Sequence, residues 1–388
     1  MWWLLCARAS AHGDAFGVEQ IAVAPDDADA AWVLVSGWGL AHTDDRGATW
    51  AWVCEEALGG DTVLAVLAAP GGGAWASTRG EVLHTTDGCA WAAATGLPEG
   101  GFVQAFARHG DAALALVTAA EGAGVYRCEG AVCAATGLIG VDAPKSIVVD
   151  GARTWVTTVA PDLTATLWTT TDLRTWTAAR VWTGNLLDPR VLDADGDVVH
   201  VWERARSQTA TSGLLRSADG GRTWDRVLTA GIAGDPPPGW ASVGARRFLG
   251  GVNTARTWVS DDDGVCWTEV SADAPAVRCG DVGPDGAAWI CADHLQDAYD
   301  VTITEDGWRF QASECLQAAT ASACNASVCD AYAPLYAAAG GDPDAACAVA
   351  LTLPPIVEDP TGCAGAPWLV GLGLGWRALR RRHRPSRT

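Results

Sequence analysis

SADGGRTW (residues 217–224) is the clearest copy of a short pattern that recurs along most of this sequence, and it decides the fold. Ser217 and Asp219 are short polar residues of the kind that hydrogen-bond the backbone of a turn. The two glycines that follow supply the positive φ that such a turn requires. The Thr-Trp pair suits an outgoing strand. The stretch therefore predicts a β-hairpin in which Asp219 builds the turn.

The pattern returns at a nearly constant spacing. TDDRGATW, TTDGCAW, TTDLRTW, SDDDGVCW and TEDGWRF end at residues 50, 91, 176, 267 and 310, and a degenerate copy, VYRCEGAVCAATGL, has Cys133 near the Trp position. The seven anchors are separated by 41, 42, 43, 48, 43 and 43 residues. Each unit also repeats an apolar run, a Gly/Asp turn and three further strands. Units of this length with four strands are typical of β-propeller blades.

At this period, SxDxGxTW resembles the Asp-box, or BNR, repeat of sialidases, sortilin-type receptor domains, xyloglucan-degrading enzymes and a photosystem assembly factor. The resemblance covers residues 18–314. It implies an all-β fold, a seven-bladed β-propeller of four-stranded antiparallel blades with Asp-box turns. In those families the Asp-box lies at the blade periphery, away from the active site. The resemblance therefore implies a structural role for Asp45, Asp87, Asp172, Asp219, Asp262 and Asp306.

Composition limits the class of partner. The 388 residues are 49% hydrophobic and only 19% charged, which favours a folded body over a disordered chain. The formal net charge is -20. An acidic body of this kind repels nucleic acid and anionic membranes, so we expect no nucleic acid as a partner.

Thirteen cysteines without CxxC pairs favour disulfides in an oxidising compartment over a zinc module. Cys279 and Cys291 flank a predicted hairpin turn, so we expect them to pair. Cys128 and Cys133 bracket the degenerate motif, where a disulfide would replace the missing turn chemistry. Four later cysteines are expected to form two bridges among themselves, with unknown connectivity: Cys315, Cys324, Cys329 and Cys347. No strand exchange that would latch the ring is evident.

Both ends of the chain suggest export. Residues 1–11 are interpreted as a short signal peptide and residues 315–362 as a Cys-rich extension and linker. Residues 363–388 place Gly-Cys before an apolar run and an Arg cluster. This order resembles the MYXO-CTERM type of sorting signal, which implies transient inner-membrane retention and processing at Cys363. A basic, solvated tail is the alternative.

These features predict a location and a source. We expect an exported protein at the cell envelope or outer surface, or a secreted one. Arg, Ala and Gly are abundant while Lys145 is the only lysine, which indicates a high-GC genome. We therefore expect a Gram-negative bacterium as the source.

One segment has a metal-like spacing. DADGD provides Asp193, Asp195 and Asp197 and resembles the start of a calcium loop, but the Gly and Glu that an EF-hand loop needs at its sixth and twelfth places are absent. The segment also falls where other units have their first hairpin turn. We expect no cofactor, with calcium here as the alternative.

Propeller sites usually lie where the connections between second and third strands and between blades converge. The richest such connection is WERARSQTATSG (residues 202–213), in the unit with the longest spacing. The candidate binding residues in these loops are Arg79, Lys145, Arg190, Glu203, Arg204, Arg206, Asp293 and His294.

Three functions are compatible with this scaffold. A sialidase requires an arginine triad and a tyrosine nucleophile, but none of the four tyrosines falls in such a loop and the FRIP-like motif is missing. A glycoside hydrolase with two carboxylates would use Glu203 and Asp293. We favour a non-catalytic propeller that binds a protein or glycan partner at the cell surface.

Overall fold

Consecutive strands of the chain pair antiparallel with one another and form a series of small sheets. The structure, a computed structural model, describes residues 18–35, 37–183, 187–205, 211–230, 239–251, 256–270, 277–292, 299–304, 308–312, 320–321, 324–325, 327–329 and 348–351. All of them belong to the compact unit Met1–Pro354. The predicted leader and sorting tail, including Cys363, lie outside the described residues.

The first three blades follow each other along the chain. Blade 1 contains β1 (Val18–Val23), β2 (Ala31–Val35), β3 (Gly39–Thr43) and β4 (Ala51–Val53). Blade 2 contains β5 (Val63–Ala68), β6 (Ala74–Thr78), β7 (Val82–Thr85) and β8 (Ala92–Ala93). Blade 3 contains β9 (Phe102–His109), β10 (Ala112–Thr118), β11 (Gly124–Glu129) and β12 (Val132–Ile139). Short 3-10 turns at Glu55–Leu58 and Pro70–Gly72 interrupt the loops.

Three more blades complete the described four-stranded repeats. Blade 4 contains β13 (Pro144–Asp150), β14 (Arg153–Val159), β15 (Ala165–Thr170) and β16 (Thr177–Trp182). Blade 5 contains β17 (Leu187–Asp195), β18 (Val198–Ala205), β19 (Ser212–Ser217) and β20 (Asp225–Ala230). Blade 6 contains β21 (Gly239–Val243), β22 (Arg246–Gly251), β23 (Arg256–Ser260) and β24 (Thr268–Val270).

A further sheet, called sheet 7 here, follows the six blades. It contains β25 (Val277–Val282), β26 (Ala288–Ala292), β27 (Tyr299–Thr304) and β28 (Trp308–Ala312). Its first strand contacts both β21 and β1. The prediction of an all-β propeller of four-stranded antiparallel blades is confirmed for blades 1 to 6. Only the backbone of β27 and β28 is described, and the count of seven blades stays a prediction.

Aromatic side chains fill the borders between blades. The second strands of blades 1, 4 and 5 carry Trp32, Trp155 and His200, and each lies under a glycine of a turn in the next blade along the chain. A Cβ at Gly221 would come within 3.1 Å of the Trp155 ring, so this turn position accepts only glycine without rearrangement. The Trp residues that end the motifs, such as Trp224, pack against the core of the preceding blade. These Trp residues therefore pack between blades.

The motif turns are held together by hydrogen bonds within the motif. Asp219 Oδ1 accepts the backbone N–H of Thr223 at 2.8 Å, and Asp219 Oδ2 accepts the Thr223 hydroxyl at 2.7 Å. The Ser217 hydroxyl donates to Asp219 Oδ1 at 2.9 Å. Hydrogen bonds from Thr223 lower the pKa of Asp219 to about 2. Equivalent bonds are present at Asp45, Asp87, Asp172 and Asp262. Asp306 lies outside the described residues.

The border of blades 3 and 4 departs from this pattern. Leu114 occupies the position of Trp32 and Trp155 on the second strand of blade 3, and Leu173 occupies a turn position with φ 59° in blade 4. Leu173 packs against the cluster that contains Leu114. A leucine in the left-handed region therefore supplies apolar surface that an aromatic ring supplies elsewhere.

Four disulfides join described residues and indicate an oxidising, exported environment. The predicted pairs Cys128–Cys133 and Cys279–Cys291 are confirmed. The prediction that the later cysteines pair among themselves is wrong for two of them. Cys329 bonds to Cys54 of blade 1, and Cys324 bonds to Cys89 of blade 2. Cys315 and Cys347 lie outside the described residues.

The described residues 320–321, 324–325 and 327–329, called the strap here, contact blades 1 and 2. β29 (Thr320–Ala321) pairs in parallel with β4, the outer strand of blade 1. β30 (Ala348–Leu351) then pairs with β28 of sheet 7. The disulfides fix the strap to blades 1 and 2. This arrangement joins the end of the propeller to its beginning without an exchanged blade strand.

Candidate functional site

The ring has two faces that differ in their loops. The mouth face carries the connections between second and third strands and between successive sheets. The turn face carries the first hairpins and the motif turns. Arg79 lies exposed on the mouth face of blade 2, apart from the other candidates. Arg206, Asp293 and His294 lie outside the described residues.

Blades 4 and 5 bring three of the predicted basic residues next to one another on the mouth face. The Arg190 guanidinium donates to the backbone carbonyl of Lys145 in the neighbouring blade. Arg190 Nη2 also lies 3.3 Å from Asp188 Oδ2, and Arg204 Nη1 lies 3.9 Å from the same oxygen. We call Lys145, Arg190 and Arg204 the mouth cluster. Asp188, two residues before Arg190 on β17, was not among the predicted binding residues.

Glu203 faces blade 4, while its neighbour Arg204 projects from the other side of β18. The Glu203 carboxylate is 2% exposed and accepts the indole N–H of Trp182 at 2.6 Å. Arg226 donates to its other oxygen, and Arg180 Nη2 lies 3.8 Å away. Arg180 stacks on Trp182 and on Trp224. Three donors therefore surround this carboxylate between two blades.

This geometry bears on the hydrolase hypothesis. A general acid needs an accessible face toward a substrate, and Glu203 is enclosed by Trp182, Arg180 and Arg226. The separation between Glu203 and Asp293 would decide the mechanism, but Asp293 lies outside the described residues. The pairing of the two carboxylates stays a prediction.

The DADGD segment forms the first hairpin turn of blade 5, as expected, and its carboxylates contact arginines. Asp193 and Asp195 lie 3.1 and 3.3 Å from the guanidinium of Arg247, which is 1% exposed. Asp197 lies 3.1 Å from Arg153 of blade 4. Burial raises the pKa of Asp193, and Arg247 opposes that rise. In the part of the chain that the structure describes, no group of three or more metal-ligating side chains is found.

A buried imidazole lies beside this ion network. His200 tilts against the Trp240 ring at a centroid distance of 5.0 Å. Burial, together with the charges of Arg247 and Arg216, lowers the pKa of His200 to about 3. The imidazole is therefore neutral near pH 7. It fills the position that Trp32 and Trp155 occupy in blades 1 and 4.

On the turn face, two charged residues that were not predicted as site residues, Arg108 and Asp281, contact the first strands of neighbouring blades. Arg108, near the turn-face end of β9, donates to the carbonyls of Val23 and Ala68 at 2.7 and 3.3 Å. Asp281 of sheet 7 accepts the Val23 N–H at 2.8 Å. Burial raises the pKa of Asp281, while the Val23 N–H and Arg108 oppose that rise. The first strands of blades 1, 2 and 3 and sheet 7 thus meet here.

A cleft of about 900 Å³ lies on the turn face between blades 3 and 4. Its walls include β12, the β11 residues Arg127 and Glu129, and the motif turn of blade 4. None of the predicted binding residues lines it. The signal that sequence reasoning could have used is the coincidence of a degenerate motif in blade 3 with the turn residue Leu173 in blade 4.

Comparison with known proteins identifies the fold. No family model and no curated protein matches the chain. Among solved structures, YCF48 bound to a D1 peptide is 16% identical with a TM-score of 0.50, covering 71% of this chain and 90% of that one. The GH74 xyloglucanase from Xanthomonas campestris is 14% identical with a TM-score of 0.50, covering 76% of this chain.

An ancestral GH74 enzyme is 13% identical with a TM-score of 0.53, covering 71% of this chain. This chain spans 52% and 46% of the two GH74 enzymes. No helix of the described residues is long and apolar enough to cross a membrane. The comparisons and the sheet topology together show that the chain folds as a β-propeller.

Proposed function

We propose that this chain is an exported, seven-bladed Asp-box propeller that binds a protein or glycan partner at the cell envelope. The observation that carries the proposal is the mouth cluster. Arg190 contacts the backbone of Lys145, and Arg190 and Arg204 both lie beside Asp188, so three basic residues adjoin on one face of a chain whose formal net charge is -20. A local group of cations on an acidic surface attracts anionic groups of a partner.

Several observations support the wider description. The packing of Trp289 and Cys291 in the same core as Val23 and Trp50 favours sheet 7 as the seventh blade. The hydrogen bonds at Asp219 favour membership of the Asp-box group. The disulfides favour an extracytoplasmic location, with sorting through Cys363 as the proposed route. The solved propeller YCF48 is bound to a peptide, which supports a protein partner as one form of the ligand.

The test is a broad glycan array incubated with the oxidised protein, measuring retained protein and the mass of each glycan. The variants are Arg204→Glu and, as a control on the turn face, Arg222→Glu. We expect retention without shortened glycans, lost in Arg204→Glu and preserved in Arg222→Glu. If no glycan retains the protein, the same three proteins are tested against displayed peptides. Binding that Arg204→Glu leaves unchanged would contradict the proposed site.

The hydrolase alternative has a separate outcome in the same experiment. A shortened glycan would overturn the non-catalytic proposal. Glu203→Gln would then be compared with the parent protein, since the amide keeps an acceptor for the Trp182 indole but cannot act as an acid or base. Unchanged turnover in that variant would exclude Glu203 from the reaction.

A further inference from the structure

The border between blades 3 and 4, where the cleft lies, is packed with different residues from the borders before blades 2, 5 and 6. At the borders before blades 2, 5 and 6, a glycine of the turn lies on Trp32, Trp155 or His200. Before blade 4, Leu114 and Leu173 replace that pair. The cleft opens beside this replacement, on the face opposite the mouth cluster.

One wall of the cleft is an edge of the polypeptide backbone. The Cα atoms of Cys128 and Cys133 are 4.0 Å apart, which indicates a non-hydrogen-bonded pair, so the N–H and C=O of Cys133 point away from β11. The Cys133 N–H accordingly donates to Thr95 of blade 2. Because these directions alternate along a strand, the N–H and C=O of Ala135 also point outward.

The open part of this edge is short. Thr95 covers it at Cys133, and the carbonyl of Leu173 accepts the N–H of Gly137 at 2.8 Å. A Cβ at Gly137 would collide with the carbonyl of Arg174, so glycine permits this close approach of blade 4. Between these two contacts, Ala135 offers one donor and one acceptor to the cleft.

The side chains around this edge include both charge signs, since Arg127 and Arg174 share the lining with Glu129 and Asp172. Arg127 and Glu129 pair with each other. Arg174 is exposed, and within the continuously described residues 37–183 it forms no ion pair. His109 adds a polar ring to the same lining, and Val132 is 64% exposed at its edge. The Asp172 carboxylate accepts the backbone N–H of Arg174 at 2.8 Å, within its own turn. The cleft thus combines an exposed guanidinium, a backbone pair and an apolar side chain.

We propose that this cleft binds an extended segment of a partner protein that carries an acidic side chain. The backbone of one segment residue pairs with Ala135, as in strand addition over a single residue. Its carboxylate contacts Arg174 through a charge-assisted hydrogen bond. An adjacent apolar side chain covers Val132. Among the described residues that line the cleft there is no Trp, Tyr or Phe on which a sugar ring would stack, which favours a peptide over a glycan.

A displayed library of random linear peptides, selected on the oxidised full chain, tests the proposal. The best peptides are then synthesised and their Kd measured by fluorescence anisotropy. We expect enrichment in Asp and Glu. Arg174→Glu should weaken binding by about tenfold or more, the effect of losing a charge-assisted hydrogen bond. Arg222→Glu is the matched control, because Arg222 holds the same place before Thr-Trp in the blade 5 turn.

A second variant examines the backbone contact. Ala135→Pro removes an N–H that points outward, so the pairing with β11 is retained and the thermal midpoint should stay close to that of the parent protein. Peptide affinity should nevertheless fall by about fivefold, the value of one hydrogen bond.

Three results would overturn the proposal. One is a selection that yields no binding peptide. Another is equal weakening by Arg174→Glu and Arg222→Glu. The third is binding that Arg204→Glu abolishes and Arg174→Glu leaves unchanged, since those peptides would occupy the mouth cluster instead. Because the cleft and the mouth cluster are separate sites, failure of one proposal leaves the other intact.

Discussion

Removal of the strap disulfides should destabilise the propeller. The loop closed by Cys89–Cys324 lies inside the loop closed by Cys54–Cys329, so the cost of losing one bridge depends on whether the other is present. Cys54–Cys329 and Cys89–Cys324 span 275 and 235 residues. When one bridge is present, the second bridge closes a smaller loop in the unfolded chain. That loop consists only of the 35 residues from Cys54 to Cys89 and the 5 from Cys324 to Cys329. The chain-entropy relation then gives about 4 kcal/mol for losing either bridge alone.

The same relation predicts the effect of removing both bridges. The remaining bridge closes a loop of more than 200 residues, and its loss adds about 5.5 kcal/mol, so the double loss costs about 9.5 kcal/mol. The double variant should therefore lose more stability than the two single losses together. The Cys128–Cys133 bridge, with a separation of 5 residues, is the control and should cost about 2 kcal/mol.

Guanidinium unfolding of the oxidised proteins measures these differences, with Cys→Ser pairs at each bridge. The Cys89–Cys324 pair gives the cleaner comparison because both residues are exposed, whereas Cys54 and Cys329 are buried and their replacement also loses packing. Limited proteolysis within the strap provides a second readout if the double variant unfolds broadly. A double variant as stable as either single one would refute a strap that closes the ring.

Three further predictions concern the turns and the ion network. Asp219 has a pKa of about 2 in the folded protein against an ordinary value of 3.8, so its contribution to the stability of the fold is complete above about pH 4 and is lost as the pH falls through 2. The difference in melting temperature between the parent protein and Asp219→Asn should disappear over that range. Leu173→Gly should change the unfolding free energy by less than about 1 kcal/mol, since relief of positive φ offsets lost packing, whereas Leu114→Ala should cost about 2 to 5 kcal/mol in urea unfolding. Arg247→Met removes a buried guanidinium and leaves the half-buried Asp193 and Asp263 without that cation, which should cost about 1 to 3 kcal/mol of unfolding free energy. The exposed Arg246→Met should cost less than about 1 kcal/mol, and equal effects of the two variants in urea unfolding would contradict this prediction.

The candidate sites were predictable only in part. The mouth-face loops led to Lys145, Arg190 and Arg204, and the structure brings these three together. Arg226 and Trp182 could not be anticipated as partners of Glu203, because they belong to outer strands of two different blades. The acidic spacing of DADGD suggested a cation, but the cation that Asp193 and Asp195 contact is Arg247 of the next blade.

The sequence by itself determined the hairpins, their period and the four-stranded unit. A motif turn needs partners only four residues apart, such as Asp219 and Thr223, so its geometry is encoded locally. The tertiary structure decided the partners of Cys324 and Cys329, because ring formation brings the end of the chain beside its first two blades. No local pattern specifies a contact between residues 235 or 275 positions apart. Such contacts depend on how many units pack around the axis, and packing between blades sets that geometry.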